Sequence, residues 1–225
     1  MTDYLGPYLL GPNETEENGI YTGDARELAR AIPDESVDLV FTDPVYQNIE
    51  DYRWLAETAA RVLRQHKSVL AFVGHTHTVA AASAMLPYLK AGPILEHYVG
   101  GAVGRLFSHS VQCNVLPCLW FSKETPDNAW MAIQELSTPK GQRGHRWGKA
   151  QDMAFYRISR LSKVDEVVVD PFCGGGSTVA MCKMLGRQYL AFEIEPDVAE
   201  MARERVRTTQ PPLFVPQPTQ EAMTL

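Results

Sequence analysis

Apolar positions along this chain follow two periods. Short, nearly continuous apolar runs at residues 37–41, 68–73, 94–99, 115–121, 166–170 and 188–192 have the length and β-branched content of buried strands. Between several of them, apolar residues recur every three or four positions, which predicts helices over 25–31, 51–64, 78–89, 153–161, 177–185 and 196–206. Strands that read as continuous apolar runs are covered on both faces, and their alternation with helices predicts an α/β fold: a mostly parallel, Rossmann-like sheet flanked by helices. The first 19 residues and a tail over 208–225, rich in Pro, Gln, Asn and Glu, read as loosely held ends.

At 225 residues and 45% apolar, the chain has material for one substantial core, so residues 1–225 are read as a single domain. No apolar stretch reaches the length of a membrane span and the N-terminus has no leader-like pattern, so a soluble cytoplasmic protein is expected, with no membrane partner. Cys113, Cys118, Cys173 and Cys182 lack zinc-ligand spacing and read as reduced core residues. His75 and His77, in FVGHTHT, have no third ligand nearby and read as loop residues, so no metal is expected.

Two segments carry chemistry. VVVDPFCGGGSTV, residues 167–179, has the grammar of strand, loop and helix: an apolar run, Asp170 at the strand end, then Gly174, Gly175 and Gly176 before Ser177 and Thr178. Glycines let a ligand approach the backbone at a helix N-terminus. Val179 stands where the dinucleotide fingerprint needs its third glycine, which favours a different adenosine cofactor. Glu193 ends the next strand 23 residues after Asp170, close to the ~20-residue offset at which an acidic side chain reaches a ribose. The bland alternatives are a tight turn for the glycines and a solvated helix start for Glu193.

TDPVY, residues 42–46, follows the strand at 37–41 and places Asp43, Pro44 and Tyr46 where open α/β sheets hold ligands. An aromatic exocyclic amine is a poor nucleophile because its lone pair is delocalised into the ring. Two acceptors aimed at its hydrogens let the nitrogen become pyramidal, and Asp43 offers a carboxylate while Pro44 offers a carbonyl with no N–H of its own. Tyr46 can stack on a flat base. The bland alternative is an Asp-Pro turn with Tyr46 packed in the core.

With both segments in view, the chain resembles the permuted β-group of S-adenosylmethionine-dependent DNA amino-methyltransferases, in which the catalytic tetrapeptide precedes the cofactor loop. The likeness rests on TGDARELARAIPDESVDLVFTDPVY, residues 22–46, and VVVDPFCGGGSTVAMCKMLGRQYLAFEIEPDVAEMARERV, residues 167–206. It implies methyl transfer to adenine N6 or cytosine N4 of an extruded base, with S-adenosylmethionine as cofactor and DNA as partner. It further implies that Asp43 and the Pro44 carbonyl hold the amine and that Tyr46 stacks on the base. Phe172 and the loop Gly174, Gly175, Gly176, Ser177 and Thr178 would then surround the methionine end, Glu193 would hold the ribose, and Asp24 and Ala25 would border the adenine. Asp24 also reads as an N-cap. An aspartate at the head of the tetrapeptide favours adenine over cytosine, since cytosine enzymes of this resemblance often begin with serine.

The chain departs from the family pattern twice. Val45 replaces the second proline of the tetrapeptide, which loosens the loop without removing an acceptor. GHRWGKAQDMAF, residues 144–155, keeps only a His-to-Lys spacing of the motif usual upstream of the cofactor strand, leaving Lys149 and Gln151 unassigned.

Charge is segregated along the chain. Residues 140–163 carry seven basic residues against Asp152, leaving −12 for the remainder of a chain whose total is −6. Lys140, Arg143, Arg146, Trp147 and Lys149 combine cations with a stacking ring and are the expected nucleic-acid contacts; from Arg157 onward the basic residues read as a solvated helix face rather than as contacts. Residues 122–150 leave room only for a small target-recognition segment. A short recognition site, a homodimer that shares contacts, or relaxed specificity would each fit. An RNA or protein-glutamine methyltransferase is disfavoured by the permuted order, and a non-catalytic nucleic-acid-binding subunit by the intact Asp43, Tyr46 and Glu193.

Overall fold

A computed structural model describes residues 4–12, 15, 18–98, 104–106, 111–126, 134–136 and 150–210. In chain order the strands are β1 (Tyr4–Leu5), β2 (Tyr8–Leu9), β3 (Ile20–Thr22), β4 (Val37–Thr42), β5 (Leu63–Phe72), β6 (Lys90–Tyr98), β7 (Gly104–Leu106), β8 (Val111–Cys113), β9 (Val115–Ser122), β10 (Gln134–Leu136), β11 (Val167–Asp170) and β12 (Gln188–Glu193). The helices are α1 (Ala25–Leu28), α2 (Ile49–Val62), α3 (Thr78–Met85), α4 (Ala150–Leu161), α5 (Ser177–Leu185) and α6 (Pro196–Thr208).

An eight-stranded sheet in the order β10-β6-β9-β5-β4-β11-β12-β3 forms the centre. Every neighbouring pair is parallel except those made by β9, which runs antiparallel to both β5 and β6. From β4 the chain moves outward through β5, and from β11 it moves the other way through β12, so order reverses between β4 and β11. That gap is the topological switch point, where open sheets bind ligands beyond the strands' carboxyl ends.

The apolar runs serve two cores at once because side chains alternate along a strand. Val40, Val69, Val169 and Leu190 pack with Tyr52 and Leu55 of α2 and Ala81 of α3. Leu39, Phe41, Leu70, Val168 and Ala191 face Ile158 of α4, Val179 of α5 and Ala202 of α6. In α2, the buried Tyr52, Leu55, Ala56, Ala59 and Val62 follow helical spacing, with Glu50 and Asp51 in the first turn and Arg61 in the last, each favourable to the helix dipole.

Several elements differ from the sequence reading. The N-terminal segment is held down: β1 and β2 pair, Leu5, Tyr8 and Leu10 are buried, and the Gly11 N–H donates to the Tyr189 carbonyl at 3.1 Å. β3 completes the sheet edge as an element too short to be read from periodicity. α2 begins at Ile49 and stops at Val62, and β5 starts at the next residue, where the sequence predicted helix to residue 64. α3 ends at Met85, short of 89, and β6 begins at Lys90, ahead of residue 94. Among the described residues, no helix is long and apolar enough to cross a membrane.

Candidate active site

The switch point brings the two chemistry-bearing segments together. β4 and β11 pair through Leu39 with Val168 and Val40 with Val169, which carries Asp43 and the loop after Asp170 to the same edge of the sheet. Thr42, immediately before Asp43, donates its hydroxyl to Asp170 Oδ1 at 2.7 Å, and both side chains are buried. The same oxygen accepts the Phe172 N–H at 3.2 Å. Burial pushes the Asp170 carboxyl up to about 6; bonds from Thr178, Thr42 and the Phe172 backbone oppose that rise, while the nearby Asp43 charge adds to it.

Asp43 stands open to the cleft while Pro44 beside it is buried. The surrounding protein strips water from the Asp43 carboxyl and raises its pKa, an effect that the neighbouring Tyr46 hydroxyl partly offsets. Tyr46 is half-buried against the core cluster that includes Phe41, Phe72 and Cys118, and its phenol is raised well above the ordinary range by burial and by Asp43. Its ring packs on the backbone after β5: a Cβ at Gly74 would lie 3.2 Å from Tyr46 Cδ2 and 3.4 Å from His77 Nδ1. Beneath it, burial pushes the Cys118 thiol up to about 12, so this sulfur is a neutral thiol at neutral pH and not a nucleophile. The Cys173 thiol is likewise raised well above its ordinary value by burial.

The loop between β11 and α5 is shaped for close approach. Gly174, at φ 51°, has no atom within 4 Å of where a Cβ would stand, so its backbone borders open space. Gly176 caps α5 at φ 79°, and a Cβ there would lie 2.8 Å from Ala202 of α6. Ser177 receives a hydrogen bond from Arg205 Nη1 at 2.7 Å, and the buried Thr178 turns its hydroxyl to Asp170.

Glu193 ties the next strand end to this loop. Its Oε2 accepts the Gly174 N–H at 2.8 Å, its Oε1 accepts the Glu195 N–H at 3.0 Å, and its backbone carbonyl accepts the Gly23 N–H at 2.9 Å. Asp24 caps α1 by accepting the Arg26 N–H at 2.8 Å, and Ala25 is buried behind it. Asp24, Ala25, Phe172, Gly174, Gly175, Gly176, Ser177, Thr178 and Glu193 therefore gather along the carboxyl ends of β3, β12 and β11, with Asp43, Pro44 and Tyr46 across the switch point.

Other neighbours escaped the sequence reading. The Trp54 ring meets Phe172 edge-on at 5.7 Å, and the Arg26 guanidinium lies 5.4 Å above Trp54 while pairing with Asp51 at 2.7 Å. Trp54 sits three residues after Asp51 on α2, a helical spacing that faces both toward the loop, but nothing in the sequence says which side of the sheet α2 covers. Arg157, read as part of a solvated face, is fully buried and donates to the Glu96 carbonyl at 3.4 Å. His75 bonds the Val115 carbonyl through Nε2 at 2.7 Å. Lys140, Arg143, Arg146, Trp147 and Lys149 lie outside the described residues, as do most of 122–150 and residues 211–225 of the tail.

The chain is similar to known proteins along most of its length. Type II methyltransferase M.HinfI of Haemophilus influenzae is 24% identical over 252 aligned positions, covering 86% of this chain and 69% of that protein. The M1.HpyAVI–SAM complex superposes with a TM-score of 0.68 at 20% identity, over 83% of this chain and 98% of that one. PvuII DNA methyltransferase, described as cytosine-N4-specific, gives a TM-score of 0.71 at 18% identity, over 83% and 85% of the two chains. The structural likeness establishes the α/β, Rossmann-like fold. Residues 108–204, which include the glycine loop and Glu193, match the family model described as DNA methylase, of N6 and N4 methyltransferases.

Proposed function

We propose that this protein transfers the methyl group of S-adenosylmethionine to an exocyclic amine of a base in DNA, adenine N6 in preference to cytosine N4. The observation that carries this reading is the meeting of Asp43 and the glycine loop at the switch point, bridged by Thr42 and Asp170. The residues present fit the cofactor. Gly174 borders open space, Phe172 and Trp54 supply an aromatic wall, and Glu193 is anchored where it can take ribose hydroxyls. When bound, the cofactor supplies an electrophilic sulfonium methyl.

The chain's own residues then perform the rest. Tyr46 stacks on the extruded base, while Asp43 and the Pro44 carbonyl accept the two amine hydrogens and free the nitrogen lone pair for in-line attack. The proton released as the new C–N bond forms passes toward Asp43. No covalent enzyme intermediate is called for, and the neutral thiols of Cys118 and Cys173 fit a direct transfer. Lys140, Arg143, Arg146, Trp147 and Lys149 are proposed to grip the DNA.

Asp43 at the head of the tetrapeptide supports adenine; the likeness to the cytosine-N4-specific PvuII enzyme supports cytosine N4 as the second reading. The test is incubation of the protein with labelled S-adenosylmethionine and separate DNA, RNA and protein pools, followed by mass spectrometry of the nucleosides. N6-methyldeoxyadenosine is expected. N4-methyldeoxycytidine would select the second reading, and label only in RNA or protein would overturn both.

A further inference from the structure

The proposed reaction needs two half-sites, one for the amine and one for the methyl donor, and they stand on different strands. Neighbouring strand ends are held to each other by the backbone ladder and by whatever side chains cross between them. The paired residues of β4 and β11 stop at Val40 and Val169, short of Thr42 and Asp170. Beyond that point a side-chain bond crosses the gap: Thr42 Oγ1 to Asp170 Oδ1 at 2.7 Å, between residues 1% and 3% exposed.

Asp170 gathers more than this one partner. Its carboxylate also holds the Phe172 N–H, at the start of the cofactor loop, and the Thr178 hydroxyl in the first turn of α5. One buried group therefore joins the residue before Asp43, the loop and the helix behind it. The titratable groups around it are Asp43 from the β4 end, Cys173 from the loop and Cys182 from α5, and both thiols are raised and neutral. A buried carboxylate with no cation among those neighbours is a poor way to gain stability, since an apolar pair of the same shape would avoid its desolvation. What the arrangement does provide is register between the two half-sites.

We infer that Thr42 and Asp170 are positioning residues, a strap that fixes the Asp43 loop against the methyl-donor loop so that the in-line geometry exists before the base arrives. This rests on the proposed amine-methylating function. A displacement of about 1 Å between reacting groups can cost on the order of 100-fold in rate, so a bond that sets this spacing acts on turnover more than on binding.

The experiment compares T42V, T42S and D170N with the wild-type chain in two independent readouts. In steady-state methylation of DNA, T42V is expected to lower kcat by roughly 30- to 100-fold with the cofactor Kd and the KM for DNA within about 3-fold, and T42S to restore most of the loss. D170N keeps a carbonyl oxygen that can accept the Thr42 hydroxyl, so it should lower kcat less than T42V, and adding T42V to it should bring kcat to about that of T42V alone. In hydrogen exchange, S-adenosylhomocysteine should slow the backbone amides of residues 43–48 in the wild type and T42S but not in T42V. Wild-type kcat in T42V, equal loss in T42S and T42V, or cofactor protection of residues 43–48 that survives T42V would each overturn the strap. If the wild type transfers no methyl to DNA, the proposed function fails, and the exchange readout still decides whether the strap couples the two loops.

Discussion

Asp43 is the residue on which the proposed chemistry converges, and its surroundings say what its loss should do. Its side chain is exposed and hydrogen-bonded with the Tyr46 hydroxyl, so truncation leaves the buried Thr42–Asp170 bridge in place. D43A should therefore fold, bind S-adenosylmethionine within about 3-fold of wild type and lose at least ~100-fold in kcat, as expected when an acceptor used only at the reacting centre is removed. Isothermal titration alongside turnover checks both halves; near-normal turnover would take the amine away from Asp43.

Asp170 should be visible in the pH dependence of stability. Folded Asp170 keeps its proton up to about pH 6, whereas an aspartate in the unfolded chain releases it near 3.9, so between these values the folded state binds more protons. Its contribution to stability is complete below the unfolded value and is lost as pH rises through about 6. D170N removes the titration. Compared by urea unfolding, the wild type should gain on the order of 2–3 kcal/mol relative to D170N as pH falls from about 7 to about 4. A difference independent of pH would mean that Asp170 titrates at its ordinary value in the folded chain.

At the scale of elements, the loop between β11 and α5 is held by α6 as much as by its own turn. G176A places a Cβ 2.8 Å from both Cα and Cβ of Ala202 at a backbone angle of φ 79°. Backbone strain and overpacking together should cost roughly 2–4 kcal/mol in urea unfolding and weaken cofactor binding. G174A, facing open space at φ 51°, should cost about 1 kcal/mol while obstructing the cofactor directly. Equal stability losses in the two variants would contradict the packing assigned to α6. Elements of this kind were legible in the sequence wherever several residues obeyed one period. The strands β4, β9, β11 and β12 and the helices α5 and α6 stand within a residue or two of their expected places, because a strand buried on both faces leaves an unbroken apolar run.

What escaped was set by contacts between segments far apart. β3 is three residues long, and its pairing with Ala191, Phe192 and Glu193 defines it more than its own composition. The switch from α2 into β5 at Leu63 occurs because Leu63 aligns with Val37, and the chain then passes through His66 at φ 62°, which no helical pattern at residues 51–64 announces. The places of Asp43, Tyr46 and Glu193 at strand ends were legible because each stands at or just after an unbroken apolar run. Thr42 and Trp54 were not, since their partners lie 128 residues away at Asp170 and across a helix–loop contact at Phe172. Arg157 misled for the opposite reason: a basic residue at helical spacing looks solvated until the face it occupies is known.

The molecule as a whole carries −6, and the described rim of the cleft is itself acidic. Asp24, Glu27, Asp43, Glu50, Glu193 and Glu195 stand at or beside the strand ends, while Arg26, Arg30 and Arg53 are paired with Asp51, Glu27 and Glu50. Such a rim repels a polyanion, so the proposed DNA substrate must be drawn in by charge elsewhere, and the surplus of six positive charges over residues 140–163 is the source the chain offers. Within it, the buried Arg157 is engaged with the Glu96 carbonyl, which concentrates the expectation on Lys140, Arg143, Arg146 and Lys149. Replacing these four with alanine should flatten the dependence of log Kd for DNA on log salt by about 0.9 for each phosphate no longer neutralised, a change of up to about 3.6, while the Kd for S-adenosylmethionine stays unchanged. The quantity to measure is the slope from fluorescence anisotropy across a salt series, because a single affinity cannot separate a weaker grip on phosphates from a distorted site. An unaltered slope would place the phosphates on another surface and leave an acidic cleft without a stated means of holding its substrate.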